Sequence, residues 1–426
     1  MQTAANMGSV LKEGWSSDRL VAQFEAANKP LGKLKAYRGE EMGRQVRTPI
    51  LYGRSGAFTT VGSSGGNLNP ALQQTVAAAI WTMPYNWFQY EIDTSALVQS
   101  GDNIQSIVAG KDLEIKGSLE NASHQISRMV VTNSDGVVVA MDNTTTGNTV
   151  IKVINAATEG ASYGYSALVR GWVGPNQPIS IGTTGAMNSL TSALTAGAFP
   201  YGGVAWITAV DKTPSAPTIT VHQALGTVTA GTHFGFIPDP NGNTGAANQV
   251  TGIRAIIGNA QLAGIDPAGA GNEYWQGAAR DVTTTTFSLD LALNLQRLVM
   301  QNSNNAPAAI WTGYKQQMNF YSLLQSQVQF AGDGNLAAGK VDSPTWNGMT
   351  IDAMADILDT DWFMLTPADM FRIKGNLEEP RWASDLQGAG SMVWKPGTTK
   401  FTDGVVYPVN LGCQRRNTQA GALNLK

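Results

Sequence analysis

The residues that could carry out chemistry are few and scattered in this chain of 426 residues. The three histidines are His124, His222 and His233, and no H-E-x-x-H motif or paired Cys/His spacing accompanies them. We therefore expect no metal site and interpret each histidine as a surface or hydrogen-bonded structural residue. The single cysteine, Cys413, excludes an intrachain disulfide and suits a reducing cytoplasm.

Three short segments match functional motifs only in part. Gly62-Ser-Ser-Gly-Gly66 fits G-x-S-x-G, but no helix pattern follows it as a nucleophile elbow requires, so we interpret it as a loop tip. Gly110-Lys111 lacks the upstream glycine and the following Ser or Thr of a Walker A motif. Asp239, Asn241 and Asn243 share the spacing of calcium-loop ligands without the glycine and glutamate of an EF-hand, which favours a turn. We therefore expect no catalytic residue, no cofactor and no enzyme.

Composition restricts the remaining classes of protein. The length is typical of more than one domain, and the apolar share of 42% allows a substantial core. Charged residues make up only 14%, which fits either a protein buried against copies of itself or a loop-rich β protein. The net charge of −3 argues against a dedicated nucleic-acid binder but not against a wall enclosing DNA. We expect no signal peptide at the N-terminus. We also expect no membrane span, since prolines interrupt the longest uncharged stretch, 171–210.

A basic arm precedes a long extended excursion over residues 42–92. Val46, Thr48, Ile50 and Tyr52 alternate as in a strand, glycines mark the tip, and strands at 77–81 and 85–92 return. Because isolated two-stranded ribbons are marginal in water, this hairpin needs a partner surface. Its aromatic side chains are equally compatible with burial in the subunit's own core. The candidates for contact with another subunit are Arg47, Tyr52, Trp81, Tyr85, Trp87 and Phe88.

A long helix and a β-rich stretch follow. Apolar residues recur every three or four positions from Ile104 to Met129, with Asp102 as N-cap candidate, which predicts a strut of roughly 40 Å. Gly110 and Gly117 weaken the pattern and allow a kink or a break. From 137 to 248 short Val-, Thr- and Gly-rich runs alternate with turn clusters, which predicts an all-β barrel or sandwich of at least five strands, with helical character only at 187–195.

The last third returns to a mixed pattern. Helices of about 15 and about 11 residues are predicted near 289–303 and 314–324, on either side of a short strand at 308–311. Strands at 349–353 and 362–365 follow, and Thr366-Pro367 opens a helical turn. The stretch 390–411 predicts two or three antiparallel strands.

This order of elements resembles the major capsid proteins of tailed bacteriophages, which share the Hong Kong 97 phage fold. Arg47-Thr-Pro-Ile-Leu-Tyr-Gly53 is similar to the family's E-loop, and the helix ending in Asn133-Ser-Asp-Gly136 to its spine helix. Ala308-Ala-Ile-Trp-Thr312 resembles part of its axial domain, and Tyr407-Pro-Val-Asn-Leu-Gly-Cys413 its closing strand. The resemblance implies an α+β fold with these parts: an N-terminal arm at 1–41, an E-loop at 42–94, a peripheral-domain spine helix at 95–136, an inserted β domain at 137–248, and an axial domain with return strands at 249–426.

The same resemblance implies a structural function. Subunits would assemble as hexamers and pentamers into an icosahedral head, in the cytoplasm of the host bacterium, around non-specifically held double-stranded DNA. Some members crosslink through an E-loop lysine, but no lysine lies between Lys35 and Lys111, so a non-covalent shell is expected. A separate scaffolding protein, a portal protein and, where one is present, a decoration protein are the expected partners. The alternatives are a tail-tube or decoration protein, and a β-rich surface-binding protein.

Overall fold

The computed structural model describes most of the chain after the N-terminal arm. The described residues are 28–37, 41–42, 45–51, 76–93, 104–142, 148–156, 163–183, 204–226, 228, 234–236, 249–269, 272–282, 285–325, 345–374, 381–382, 393–394 and 400–426. Most of the N-terminal arm, Tyr52, the glycine-rich tip and the segment 187–195 therefore lie outside the described residues.

Six helices and twenty-one strands form the described part of the chain. The helices are α1 Lys29–Lys33, α2 Ile104–Val131, α3 Tyr165–Val169, α4 Ile253–Ile257, α5 Leu289–Ser303 and α6 Tyr314–Gln325. The strands are β1 Lys35–Tyr37, β2 Glu41–Met42, β3 Gln45–Leu51, β4 Val76–Thr82, β5 Tyr85–Asp93, β6 Val137–Ala140, β7 Val150–Lys152, β8 Pro178–Gly182, β9 Ala205–Asp211, β10 Thr218–Val221, β11 Phe234–Phe236, β12 Ala278–Asp281, β13 Ala309–Thr312, β14 Thr345–Trp346, β15 Met349–Ala353, β16 Trp362–Leu365, β17 Met370–Lys374, β18 Arg381–Trp382, β19 Val393–Trp394, β20 Lys400–Cys413 and β21 Ala420–Leu423.

The chain divides into two compact units. The first contains the described residues up to Lys33 together with Met83–Thr251 and Lys374–Asn410. The second contains Leu34–Thr82, Gly252–Ile373 and Leu411–Lys426.

In the first unit the long helix α2 packs along strand β5. The helix is continuous for 28 residues despite its two glycines, because Ile115, Leu119 and Ile126 recur on one buried stripe whose packing outweighs the weak helix propensity of glycine. Strand β5 pairs antiparallel with β20 over nine residues, from Asp93 opposite Lys400 to Tyr85 opposite Pro408.

The pairing of β5 corrects one prediction. The sequence places 85–92 on the returning arm of the hairpin, but β5 leaves the hairpin and joins β20 instead. Pro84 explains the break, since it has no N–H to continue the ladder that β4 makes with β3. Only β4 therefore returns along β3, from Val76 opposite Leu51 to Thr82 opposite Gln45.

The stretch after α2 forms a closed six-stranded antiparallel barrel. Its strand order is β6-β11-β8-β9-β10-β7, and every pairing is antiparallel. A bridge between Met141 and Val153 joins β6 to β7 and closes the ring. Gly235 is required inside, because a Cβ there would lie 2.5 Å from Ile179 Cδ1 and 2.8 Å from Val139 Cγ1. The prediction of a β unit with at least five strands is confirmed, and the closed ring decides for a barrel over a sandwich. The expectation that helical character occurs only at 187–195 is wrong, because the short helix α3 lies at Tyr165–Val169.

The second unit is built on a mixed six-stranded sheet of order β12-β21-β16-β13-β15-β14. Helices α5 and α6 cover one face, where Leu295, Val299 and Phe320 pack with Ile310 and Trp362. The helix and strand predictions for 289–324, 349–353 and 362–365 are confirmed to within a residue or two. Helix α5 starts at Ser288, whose side chain accepts a hydrogen bond from Leu291 N at 3.2 Å.

Buried arginines hold the opposite side of this unit together. Arg254 on α4 makes two hydrogen bonds to the Asp361 carboxylate, at 2.6 and 2.8 Å, and both side chains are fully enclosed. Arg416 donates to the backbone carbonyls of Ala255, Ile256, Gly258 and Ala260. Arg416 therefore caps α4, whose carbonyls would otherwise be buried without partners.

Candidate assembly surfaces

The hairpin base is built into the second unit. Trp81 is only 2% exposed, its Nε1 donates to Thr48 Oγ1 at 2.8 Å, and its ring lies 6.4 Å from that of Trp275 and 6.2 Å from that of Phe371. Ile80 N also donates to Ala263 O at 2.9 Å. The base of the hairpin thus finds a partner surface within its own chain, and Trp81 is a core residue of the protomer.

A pair of exposed aromatic side chains lies on β5. Tyr85 is 42% exposed and Trp87 is 53% exposed, two residues apart and therefore on the same side of the strand. Asn86, between them, points the other way and donates to Tyr407 O at 3.0 Å. Among the described residues β20 is the only strand that pairs with β5, which makes β5 an edge strand. Its Tyr85 and Trp87 side chains are exposed to solvent. We call Tyr85 and Trp87 the aromatic patch.

The predicted contact residues differ in their exposure. The aromatic patch contains two of them, Phe88 is half-buried on the same strand, and Arg47 is exposed on β3. Trp81 is buried, and Tyr52 lies outside the described residues.

A second set of exposed apolar side chains, which the sequence pattern did not predict, lies on the helices α5 and α6. Met318 is the most exposed of its members, at 69%. Leu293 is exposed because α5 turns Leu291 and Leu295 to the sheet instead. We define the helical patch as Leu293, Met300, Tyr314, Met318 and Leu323.

The two patches contain most of the exposed large apolar side chains. Nine such side chains occur among the described residues, and the aromatic patch and helical patch account for seven of them. The other two are Val150 and Val169. Exposed large apolar side chains such as these are candidates for protein–protein contacts.

The described residues offer no catalytic or metal-binding arrangement. Within these ranges no group of three or more His, Cys, Asp or Glu side chains is placed to hold a metal ion. His222 has a structural contact, accepting a hydrogen bond from Trp206 N at 2.9 Å, whereas His233 lies outside the described residues. Burial raises the pKa of the Cys413 thiol to about 12, which leaves it protonated and unreactive at neutral pH. None of the described helices is long and apolar enough to span a membrane.

Solved structures of phage capsids resemble this chain over nearly its whole length. The cyanophage A-1(L) capsid subunit matches with a TM-score of 0.53 and 11% identity, covering 93% of each chain. The capsid of the native GTA particle matches at 0.45 and 8%, covering 94% of this chain and 90% of that one. Mycobacterium phage Ogopogo matches at 0.39 and 10%, covering 92% and 91%. No protein-family model matches the sequence, and a search of curated proteins gives no significant match.

The first of these likenesses assigns the fold. The chain has the fold of a phage capsid protein. More specifically, it is an α+β fold of the Hong Kong 97 type, in which a β-barrel follows the long helix α2. The resemblance found in the sequence is thus confirmed at the level of the fold.

Proposed function

We propose that this chain is the major capsid protein of a tailed phage and acts as a structural shell subunit rather than as an enzyme. Its subunits form hexamers and pentamers that tile an icosahedral head around double-stranded DNA. The observation that carries the proposal is the fold shared with a phage capsid subunit over 93% of both chains. The concentration of exposed apolar side chains in two patches supports it, because a shell subunit must leave contact surface uncovered until it assembles.

Burial of the two patches against neighbouring copies is the driving force in this proposal. A closed shell is made of repeated contacts between different surfaces of identical subunits. The aromatic patch supplies Trp and Tyr, which interface cores favour, and the helical patch supplies Met, Leu and Tyr. The low charged fraction of the chain, 14%, suits a subunit with much of its surface in such contacts.

The shell in this proposal is non-covalent. A crosslink through the hairpin needs a lysine there, and residues 36–110 contain none. Stability of the head then rests on buried apolar area and hydrogen bonds alone. Mass spectrometry of denatured particles is expected to find monomers of 45.1 kDa and no isopeptide-linked species. A ladder of linked subunits would contradict this part of the proposal.

The remaining partners follow from the same function. We propose a separate scaffolding protein during assembly in the host cytoplasm, a portal protein at one vertex, and a decoration protein where the phage encodes one. DNA contact is non-specific, since the net charge of −3 gives the chain no overall attraction for phosphates.

Assembly in the presence of scaffolding protein tests the proposed function. The full-length chain is expressed with and without the scaffolding protein, and the products are separated by sedimentation and viewed by negative-stain microscopy. We expect closed shells of uniform size with the scaffolding protein, and capsomers or irregular shells without it. Tubes, or monomers that stay dispersed at high concentration in both cases, would contradict it.

A further inference from the structure

A polar stripe on the long helix faces the inserted barrel. Asn121, Gln125 and Arg128 follow each other at helical spacings of four and three, so they lie along one side of α2. Asn121 Oδ1 accepts a hydrogen bond from Gln177 Nε2 at 2.7 Å. Gln125 Nε2 donates to Trp172 O at 2.8 Å. Both partners belong to the barrel segment that leads into β8.

Arg128 joins the two chain segments through which the barrel is attached. Its guanidinium donates to Val137 O at 3.0 Å, where β6 enters the barrel, and to Gln249 Oε1 at 3.1 Å, on the first described residue after β11. Its Nε donates to Gln125 Oε1 at 3.2 Å. One side chain therefore connects the helix, the segment that enters the barrel and the segment that leaves it.

Because Arg128 is buried, its charge depends on the hydrogen bonds it makes within the protein. The side chain is fully buried, and loss of solvation lowers its pKa to about 10, so it remains charged at neutral pH. A buried charge is stable only while its hydrogen-bond partners are all in place. The charge thus favours the single arrangement in which the helix, Val137 and Gln249 converge.

The barrel's own closure does not use these contacts. The bridge between Met141 and Val153 and the five strand pairings close it independently of the stripe. Its interior is apolar, with Ile151, Ile181 and Ile219 fully buried. Breaking the Arg128 contacts would therefore loosen the attachment of the barrel while its internal hydrogen bonds persist.

We propose that Arg128 is a latch that holds the inserted barrel at one orientation on the long helix, so that helix and barrel move as one body. Losing the latch frees the barrel to reorient without unfolding it. This inference concerns the single chain and does not depend on the proposed function. In a shell, the Arg128 latch would hold the barrel of every subunit at the same angle to its long helix.

Hydrogen exchange on the full-length chain tests the latch. Arg128→Met keeps the volume of the side chain and removes its donors. We expect the amides around Asn133–Val137 and at 249–251 to exchange about tenfold to a hundredfold faster, as expected for lost hydrogen bonds to a buried charge. Exchange in β9 and β10 should stay within about twofold of the original protein. Equal acceleration in β9 and β10 would make Arg128 an ordinary core residue and overturn the proposal, as would unchanged exchange at the junction.

Two further variants make the test specific. Arg416→Met removes another buried arginine and is expected to accelerate exchange only at 255–260, the end of α4 and the residues after it, leaving the junction unchanged. Gln249→Met removes one acceptor at a half-buried position, so it is informative even if Arg128→Met does not fold. Its junction amides should exchange faster, and the double variant with Arg128→Met should equal Arg128→Met rather than the sum of the two. Additive effects, or no effect of Gln249→Met on the junction, would contradict the latch.

Discussion

Two tryptophans close together in the chain should have opposite roles in assembly. Trp87 lies on the aromatic patch and is 53% exposed, whereas Trp81 is 2% exposed in the core of the second unit. A tryptophan side chain has up to about 250 Å² of surface, so about 130 Å² of Trp87 is available for a neighbouring subunit. At about 25 cal/mol per Å² this area corresponds to ~3 kcal/mol per contact. We therefore expect Trp87→Ala to weaken each contact by about two orders of magnitude.

The assay separates folding from assembly. Urea unfolding of unassembled Trp87→Ala should give a free energy of unfolding within about 0.5 kcal/mol of the original protein, as for most surface substitutions. The concentration at which shells form, followed by light scattering with scaffolding protein present, should rise steeply, because each subunit makes the contact in every shell.

Trp81→Ala is the matched control. It removes the ring packed between Trp275 and Phe371 and the hydrogen bond to Thr48, so it should lower the free energy of unfolding by about 3–5 kcal/mol. Any loss of assembly then follows from loss of folding. The reasoning is refuted if Trp87→Ala assembles at the original concentration, or if it destabilises the monomer as much as Trp81→Ala does.

Three further predictions concern other parts of the molecule. Met318→Asp on the helical patch should leave the urea midpoint unchanged but abolish shells in the same scattering assay, because burying an unpaired carboxylate costs several kcal/mol. If this variant forms normal shells, Met318 does not lie in a contact between subunits. Gly235→Ala should destabilise the protein by about 1–3 kcal/mol in urea unfolding, because the new methyl group would be overpacked against Ile179. Gly117→Ala on α2 meets open space and should stabilise the protein by up to about 1 kcal/mol. Equal effects of the two substitutions would refute the packing argument. Cys413 should resist a thiol reagent at pH 8 until the chain unfolds, and rapid labelling of the native protein would contradict its burial. The free energy of unfolding should also fall as pH rises from about 9 towards about 12, because the thiol ionises in the unfolded chain but stays protonated in the folded one.

Local patterns predicted the elements of the fold well. The apolar repeat of α2 and the short apolar runs of β13 and β16 predict a helix and two strands, and the predicted bounds agree closely with the structure. Strand β11 is hard to recognise in the sequence, because Phe234–Phe236 is only three residues long and has glycine at its centre. The single-residue alternation that marks a strand cannot be recognised over so short a run.

Pairing over long sequence distances could not be predicted in the same way. The partner of β5 is β20, more than 300 residues later in the chain, and nothing in the alternation of Tyr85 and Trp87 specifies it. The same limit explains why Trp81 and Trp87 looked alike in the sequence and have opposite exposure in the structure. Nothing in the sequence marks Arg128 and Arg416 as buried, since their burial depends on carbonyl groups that only the folded chain brings together.

Cryo-electron microscopy of particles assembled from the full-length chain and its scaffolding protein tests the central claim most directly. The account predicts an icosahedral shell built from this chain in hexamers and pentamers, with Trp87 and Met318 buried against neighbouring copies. A particle whose shell lacks this chain, or a shell in which both side chains remain in solvent, would contradict it.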